Sequence, residues 1–457
     1  LIGKVLVETL VPSRAARPLT PRPISYALGN LGKAYLWTSF ETVLLFYLVS
    51  LCGMPAKLAG DLLGLAMVVD SLIDLTLSYA ADRWPSQRDK RLLLFGLAPL
   101  CGLGFTSAFL AGWWSGGTNW SLMIGVLFLC RIAYSACDII HNALLRAFSD
   151  TDADASVVSG FRFLFSSAGA GLVAWSFSRS VTAGDPEAQR AAFAQFGILA
   201  GALYAITVAV AGIAAPRRSL HSANTRAGGL GETISALWRH TAYRKVVVLM
   251  AVQAMLLPMF NRALPFFGIA WRSGAAWAGN GLLLMTIMQA ASLPFWMMAA
   301  RAGLRPAQAL RWACALFFLA MVSMTTGLMD VAALMMAGAG FAGANMAVWA
   351  ILGRIIRLDA IAKHGLLLTP IGVFLAALKA SSGLGNILLG WIISGCGGGL
   401  GAPGIMAATI FLPALGSVAV LLLAPSAVEQ RPPSALQLGD ASAATQAGST
   451  DHCDDPT

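Results

Sequence analysis

Apolar runs of about twenty residues recur along almost the whole chain, each closed by a short polar stretch. A helix rises about 1.5 Å per residue, so such a run is long enough to cross the ~30 Å hydrocarbon core of a bilayer. The apolar windows lie near 24–51, 58–81, 91–113, 120–142, 157–178, 192–215, 245–270, 278–299, 307–328, 331–353, 366–396 and 401–424, which predicts twelve transmembrane helices. Segment 216–244 is polar, holds Arg217, Arg218, Arg226, Arg239 and Arg244, and predicts a cytoplasmic linker between two six-helix halves, 24–215 and 245–424. Residues 1–23 read as a cytoplasmic N-terminal segment, and 425–457, rich in Pro, Ser, Ala, Gln and Asp, as a disordered tail.

The loops set an orientation. Arg83, Arg88, Lys90 and Arg91 follow the second span; Arg301, Arg305 and Arg311 surround the loop after the eighth; Arg354, Arg357 and Lys363 follow the tenth. The other side offers Lys57, Arg179, Arg190 and Arg272. The positive-inside rule then predicts that both termini are cytoplasmic, with the chain in a bacterial inner membrane. The loops after spans two and eight are both basic, ADRWPSQRDKR (81–91) and ARAGLRPAQALR (300–311), and echo each other at equivalent places in the two halves. A duplicated six-helix unit is the architecture of the major facilitator transporters, so the predicted fold class is an all-α membrane protein of twelve transmembrane helices in two six-helix halves.

Composition agrees with a membrane interior. The chain is 57% hydrophobic and only 11% charged, with a mean hydropathy of +0.72, where a soluble chain carries about 25% charged residues. The net charge of +10 comes mostly from the alternate basic loops, which removes nucleic acid as an expected partner. Seven cysteines are scattered without ligand spacing or a disulfide framework, and five histidines make a metal-dependent enzyme a poor reading. No phosphate-binding loop, zinc-hydrolase motif or nucleophile elbow stands in a fitting context, so no enzyme and no cofactor are expected. No cleavage pattern of a secretory signal is seen near the N-terminus. The runs GCGGGLG (395–401) and AGAGFAGAN (337–345) are read as close-packing surfaces and a tight connection.

Charged residues within the spans carry the chemistry. A charge at the bilayer centre costs about 2.5–3.5 kcal/mol on insertion scales. Asp70 and Asp74 stand one helical turn apart in span two, share a face, and repel each other unless a cation or a proton lies between them. Span four places Arg131, Tyr134, Ser135 and Asp138 on one face. Spans one, five, seven and eleven add Lys33 and Glu41, Arg162, Gln253, Asn261 and Arg262, and Lys379. Most of these charges fall in the N-terminal half, which predicts a polar cavity lined asymmetrically by that half. Plainer readings stand beside the functional ones. Asp82, Arg83, Lys90 and Arg91 read as a loop network that locks one conformation, Glu41 and Arg131 as a structural ion pair, and His141 as interfacial. Tyr134 and Ser135 fit bonding within the bundle as well as a site. Trp349 and the Met-rich stretch 335–346 fit packing, with Trp349 kept as a substrate-side candidate.

The stretches ISYALGNLGKAYLWTSF (24–40) and CGMPAKLAGDLLGLAMVVDSLIDLTLSYAADR (52–83) resemble the opening of the glycoside–pentoside–hexuronide:cation symporters. The resemblance runs through both halves, is strongest over about 24–170, and in the second half rests mainly on the lysine of span eleven. It implies that Asp70 and Asp74 are cation-site carboxylates. In AYSACDII it implies that Tyr134, Ser135 and Asp138 line the cation and sugar sites. In SGFRFLF, Arg162 corresponds to a sugar-site arginine; Lys379 corresponds to the lysine close to the cation carboxylates, and Lys33 to that of the first helix's Gly-Lys pair. Several sugar-reading groups are changed. An acidic sugar ligand is replaced by Ala34, a stacking tryptophan by Asn142, and an arginine before the first aspartate by Met67, while Arg131 is an extra cation. Beyond Asp359 an Asp-Tyr-Gly is replaced by Ala-Lys-His-Gly.

The expectation is therefore a monomeric secondary symporter in which Na⁺ or H⁺ binds among Asp70, Asp74, Asp138 and Ser135, with Lys379 as an internal cation. Its small-molecule cargo, a sugar, glycoside or related polar compound, is met by Lys33, Tyr134, Asp138, Arg162 and Trp349. The alternative is a proton-coupled exporter of an amphipathic metabolite or drug. A sensor or scaffold built on a transport fold is a third reading, against which the retained carboxylates argue.

Overall fold

The computed structural model describes residues 21–83, 92–144, 152–215, 229–358, 368–395 and 403–424. These form twelve long helical rods: α1 (Pro21–Leu51), α2 (Ala56–Arg83), α3 (Leu92–Trp114), α4 (Trp120–Leu144), α5 (Asp152–Val181), α6 (Pro186–Ala214), α7 (Thr241–Trp271), α8 (Ala275–Arg301), α9 (Pro306–Thr326), α10 (Asp330–Leu358), α11 (Leu368–Gly395) and α12 (Pro403–Leu423). Ten helices among the described residues are long and apolar enough to cross a membrane. The other two rods, α2 and α5, run for 28 and 30 residues and carry Asp70, Asp74 and Arg162 within their length. Large apolar side chains such as Leu72, Leu103, Ile206 and Leu422 stand exposed on the outside of the bundle, as lipid-facing positions require.

The predicted linker is not polar throughout. Leu230–Arg239 forms a short helix with Thr233 and Leu237 buried, and α7 begins at Thr241. An apolar stripe at helical spacing packs that segment onto the base of α7, where Leu237 joins Tyr243 and Val246.

Local chemistry explains the irregularities. Asp185 caps α6, its side chain accepting from the Ala188 amide at 2.8 Å, with Pro186 at the first helical position. Gly327 ends α9 in the left-handed region at φ 68°. Pro258 separates the two parts of α7, Thr241–Leu256 and Met259–Trp271. Two π-turns, Ser39–Val43 and Tyr47–Leu51, loosen the second half of α1, and Glu41 lies in the first. Such turns commonly re-aim a side chain at a functional site.

The packing repeats. Rod α1 packs on α5 and α6, α3 on α4 and α6, and α2 on α4. The same five pairings recur six rods later: α7 with α11 and α12, α9 with α10 and α12, and α8 with α10. Two seams join the sets, α2 against α11 and α5 against α8, and they exchange under the same offset. Small residues make the α2–α11 seam. A Cβ on Gly60 would lie 2.6 Å from the Asn386 carbonyl oxygen, and one on Gly390 2.5 Å from that of Ala56. Without a hydrophobic force between helices in lipid, such backbone approach supplies the packing. It also sets Lys379 beside the aspartates of α2. Gly60→Val is expected to lower the thermal midpoint of the purified protein, overpacking costing about 1–3 kcal/mol. Gly125→Val, whose Cβ would meet nothing within 4 Å, serves as the near-neutral comparison in the same thermal scan.

Candidate functional site

Two carboxylates on α2, two cations and one hydroxyl form the first polar cluster. Asp70 and Asp74 are 1% and 0% exposed. Lys379 Nζ reaches from α11 to Asp74 Oδ2 at 2.5 Å and Asp70 Oδ2 at 3.3 Å, so one ammonium bridges both aspartates and offsets their repulsion. Arg131 on α4 pairs with Asp70. Ser135, one turn further along α4, donates to Asp74 Oδ1 at 3.0 Å and accepts from Lys379 at 3.3 Å. The Arg131 guanidinium also lies against aromatic rings, with centroids at 4.6 Å for Phe40, 5.5 Å for Trp37 and 5.6 Å for Tyr134. Two buried cations thus face two buried carboxylates, the condition under which burial of charge is tolerable.

A second cluster lies toward the N-terminal end of α1. Lys33 pairs with Asp138, one turn beyond Ser135's neighbours on α4, and approaches His141 Nδ1 at 3.3 Å and Asn142 Oδ1 at 3.4 Å. Arg162 on α5 donates to Asn142 Oδ1 at 2.6 Å and to Asn30 Oδ1 at 3.3 Å. Asn30 in turn donates to Ser166 at 3.3 Å.

A cavity of about 880 Å³ joins these groups. Its walls include Lys33, Trp37, Tyr134, Asp138, Asn142 and Arg162 from the first six rods. The later rods supply Gln253, Gln289, Asn345, Trp349, Lys379 and Ser382. Asp70 and Asp74 are not among its lining residues; Trp37 and Tyr134 are, and Lys379 reaches both the cavity and the aspartates. Burial grades along it. Phe163 and Trp349, near the end that carries the N-terminus of α1, are 44% and 42% exposed, whereas Val43, Phe177 and Met285 at the far end are at most 1% exposed. The cavity is therefore open at the first end and shut at the second.

The shut end holds a third cluster. Arg262, just past the break in α7, pairs with Glu41 of α1 and donates to Ser382 of α11 through the hydroxyl and, at 3.0 Å, through the carbonyl. Ser382 Oγ donates to Glu41 Oε1 at 2.7 Å. Phe46 packs edge-on against Phe177 and Phe266 beyond it.

The structure brings Asp70, Asp74, Ser135 and Lys379 into direct contact and pairs Asp138 with Lys33. Lys33, Tyr134, Arg162 and Trp349 all line the cavity. Two expectations change. Glu41 pairs with Arg262 and Arg131 with Asp70, because Glu41 sits on the α7 side of α1. His141 is not interfacial: it is 0% exposed, stacked on Tyr26 with centroids 4.6 Å apart and joined to its carbonyl at 3.2 Å. The charged lining is asymmetric as expected, with Lys33, Glu41, Asp138 and Arg162 from the first six rods and Lys379 from the later ones, while amides of α7, α8 and α10 form the facing wall. Of these, Gln253 stands out in the sequence as a polar residue within a span, whereas for Gln289, Asn345 and Ser382 a polar side chain inside an apolar run is the only signal. The loop network expected of Asp82, Arg83, Lys90 and Arg91 lies outside the described residues, as do the side chains of the first two.

Comparison with known proteins places this geometry. Over 188 residues the chain is 26% identical to an uncharacterized symporter of Synechocystis sp., a match covering 39% of this chain and about a third (34%) of that protein's length. Solved structures share the fold. A D-xylose-proton symporter superposes with a TM-score of 0.63 at 15% identity, covering 90% of this chain and 97% of that one. The nucleoside transporter NupG superposes with a TM-score of 0.59 at 12% identity, over 89% and 98%. The family model of MFS/sugar transport proteins matches residues 25–426. Since that match spans nearly the whole chain, this protein belongs to the MFS/sugar transport family.

Proposed function

We propose that this chain is a cation-coupled secondary symporter that moves a polar or amphipathic small molecule by alternating access. The observation that carries the reading is the Asp70–Asp74 pair, buried beside the cavity and neutralised by a lysine that touches both. In this reading the twelve rods are twelve spans in two six-helix halves, a division favoured by the recurrence of five pairings at an offset of six. The basic loops favour cytoplasmic termini in a bacterial inner membrane, so the open end of the cavity faces the cytoplasm. The protein acts as a monomer, and Na⁺ or H⁺ is the coupling ion.

The chain's own groups suggest how coupling runs. A cation reaching Asp74 and Ser135 takes over the neutralisation that Lys379 supplies, and the ammonium is released toward the cavity it already lines. Ser135 and Asp138 share α4, so a change at the carboxylate pair is transmitted along one rod to Lys33 and the cargo side. Uptake into proteoliposomes under imposed Na⁺ or H⁺ gradients tests the reading. Stimulation by one gradient is expected, and equal uptake with and without every gradient would remove it.

A further inference from the structure

The charge balance of the interior points to the chemistry of the cargo. Five cations, Lys33, Arg131, Arg162, Arg262 and Lys379, lie in or against the cavity, with four carboxylates, Glu41, Asp70, Asp74 and Asp138. Four of the cations sit on carboxylates. Arg162 does not. Among the described residues its guanidinium donates to two neutral amide oxygens, of Asn142 and Asn30, and lies 6.0 Å from the Tyr26 ring centroid.

In the open state water solvates this excess charge. Closure around cargo withdraws the water, and a guanidinium left in a low-dielectric interior without a counter-ion is strongly disfavoured. A neutral sugar brings hydroxyls but no compensating charge. A carboxylate supplies the charge and matches the planar, two-pronged donor face of arginine. Toward the later rods the wall is largely apolar, formed by Met250, Leu293, Phe341, Met346, Trp349 and Leu375 and interrupted by four amides, by Thr286 and by the already partnered Lys379 and Ser382. Such a wall accepts a hydrophobic body with a few hydrogen-bonding groups.

We propose that the cargo is an amphipathic organic monoanion, its carboxylate on Arg162 beside Lys33 and its apolar body against the Met, Phe and Trp wall. This rests on the transport reading above and narrows its substrate class. Asn30 and Asn142 hold Arg162 in place without neutralising it, which leaves the charge for the cargo.

The test uses purified full-length protein in nanodiscs and matched probes that differ at the acid: 4-phenylbutyrate and 4-phenylbutanol, indole-3-acetate and indole-3-acetamide, phenyl glucuronide and phenyl glucoside. Binding is read by calorimetry and by thermal shift at fixed ionic strength. In at least one pair the carboxylate is expected to bind about tenfold to a hundredfold more tightly, the range for a hydrogen bond to a charged group. Arg162→Gln is expected to shrink that ratio to about twofold, while Arg162→Lys, which keeps the charge, retains part of it; the lysine variant decides should the glutamine variant misfold. Equal affinities within every pair, preference for the neutral member, equal weakening of both members in Arg162→Gln, or no shift with any carboxylate would each overturn the proposal. Gradient-driven uptake of the same probes separates the two claims. Carboxylate selectivity with no response to Na⁺ or H⁺ gradients removes symport alone, and gradient-driven uptake of neutral members only removes the monoanion alone.

Discussion

Asparagine in place of Asp74 is expected to abolish cation-stimulated transport while leaving folded protein in the membrane. The carboxylate receives Lys379 at 2.5 Å and Ser135 at 3.0 Å, and it is fully buried. Removing its charge takes away the negative partner that a coupling ion replaces Lys379 to reach, an interaction whose loss in a buried pair costs about 3–5 kcal/mol. That corresponds to a drop of roughly two to four orders of magnitude in apparent cation affinity. The fold survives because Lys379 keeps Asp70 at 3.3 Å and the glycine-lined seam of α2 and α11 is untouched. Asp61→Asn on the same rod is the informative contrast. Asp61 accepts from Lys57 at 2.9 Å and Trp391 at 2.7 Å at an exposed end of α2, where an ion pair contributes about 0–1 kcal/mol. Uptake against cation concentration, with the thermal midpoint as a control for folding, should show loss in the first variant and little change in the second. Unchanged cation dependence in Asp74→Asn would sink the proposed coupling site.

Methionine in place of Arg262 is expected to open the shut end of the cavity. Arg262 ties α7 to Glu41 on α1 and to Ser382 on α11, across the line along which the two sets of rods meet. Without it Glu41, part-buried on the cavity wall, is left with one serine hydroxyl, and a carboxylate stripped of its partner costs up to about 3–5 kcal/mol. That cost falls on the shut state, because opening lets water reach Glu41. The equilibrium therefore moves toward opening at this end by up to about two to four orders of magnitude. Spin labels at Thr118 and Ser273, on loops at that end of the two sets, should report a longer distance in Arg262→Met. Adding Glu41→Gln removes the orphaned charge and should restore part of the shorter distance. A lowered thermal midpoint with an unchanged distance distribution in Arg262→Met would make the cluster structural and nothing more.

Much of this protein is legible without coordinates because the bilayer allows few solutions. A run of apolar residues in lipid must satisfy its backbone internally, so the windows at 120–142 and 192–215 read directly as the helices Trp120–Leu144 and Pro186–Ala214. A charge in such a run is expensive, which is why Asp70, Asp74, Arg131, Asp138 and Lys379 stand out by residue type alone. Helical periodicity places Arg131, Tyr134, Ser135 and Asp138 on one face, and that face does meet α2, α1 and α11. The amphipathic helix Leu230–Arg239 was hidden because its stripe is short and set in a basic segment.

Partners are another matter. Five cations and four carboxylates within the spans allow many pairings, and each residue's type is silent about which it takes. The π-turn at Ser39–Val43 and the break at Pro258 turn Glu41 and Arg262 toward each other, which no period of 3.6 foretells. Asp138 looked like a third member of the aspartate set and instead holds Lys33, because rods α1 and α4 bring those side chains together on the cavity side. The membrane character, the apolar windows, the charges that must be paired and the carboxylate pair are all legible in residue type and spacing, since each follows from the local cost of burying polarity. Which cation sits on which carboxylate, which end of the cavity is shut, and that Arg162 meets no acid among the described residues come from the packed rods alone, since these depend on distances between helices far apart in the chain.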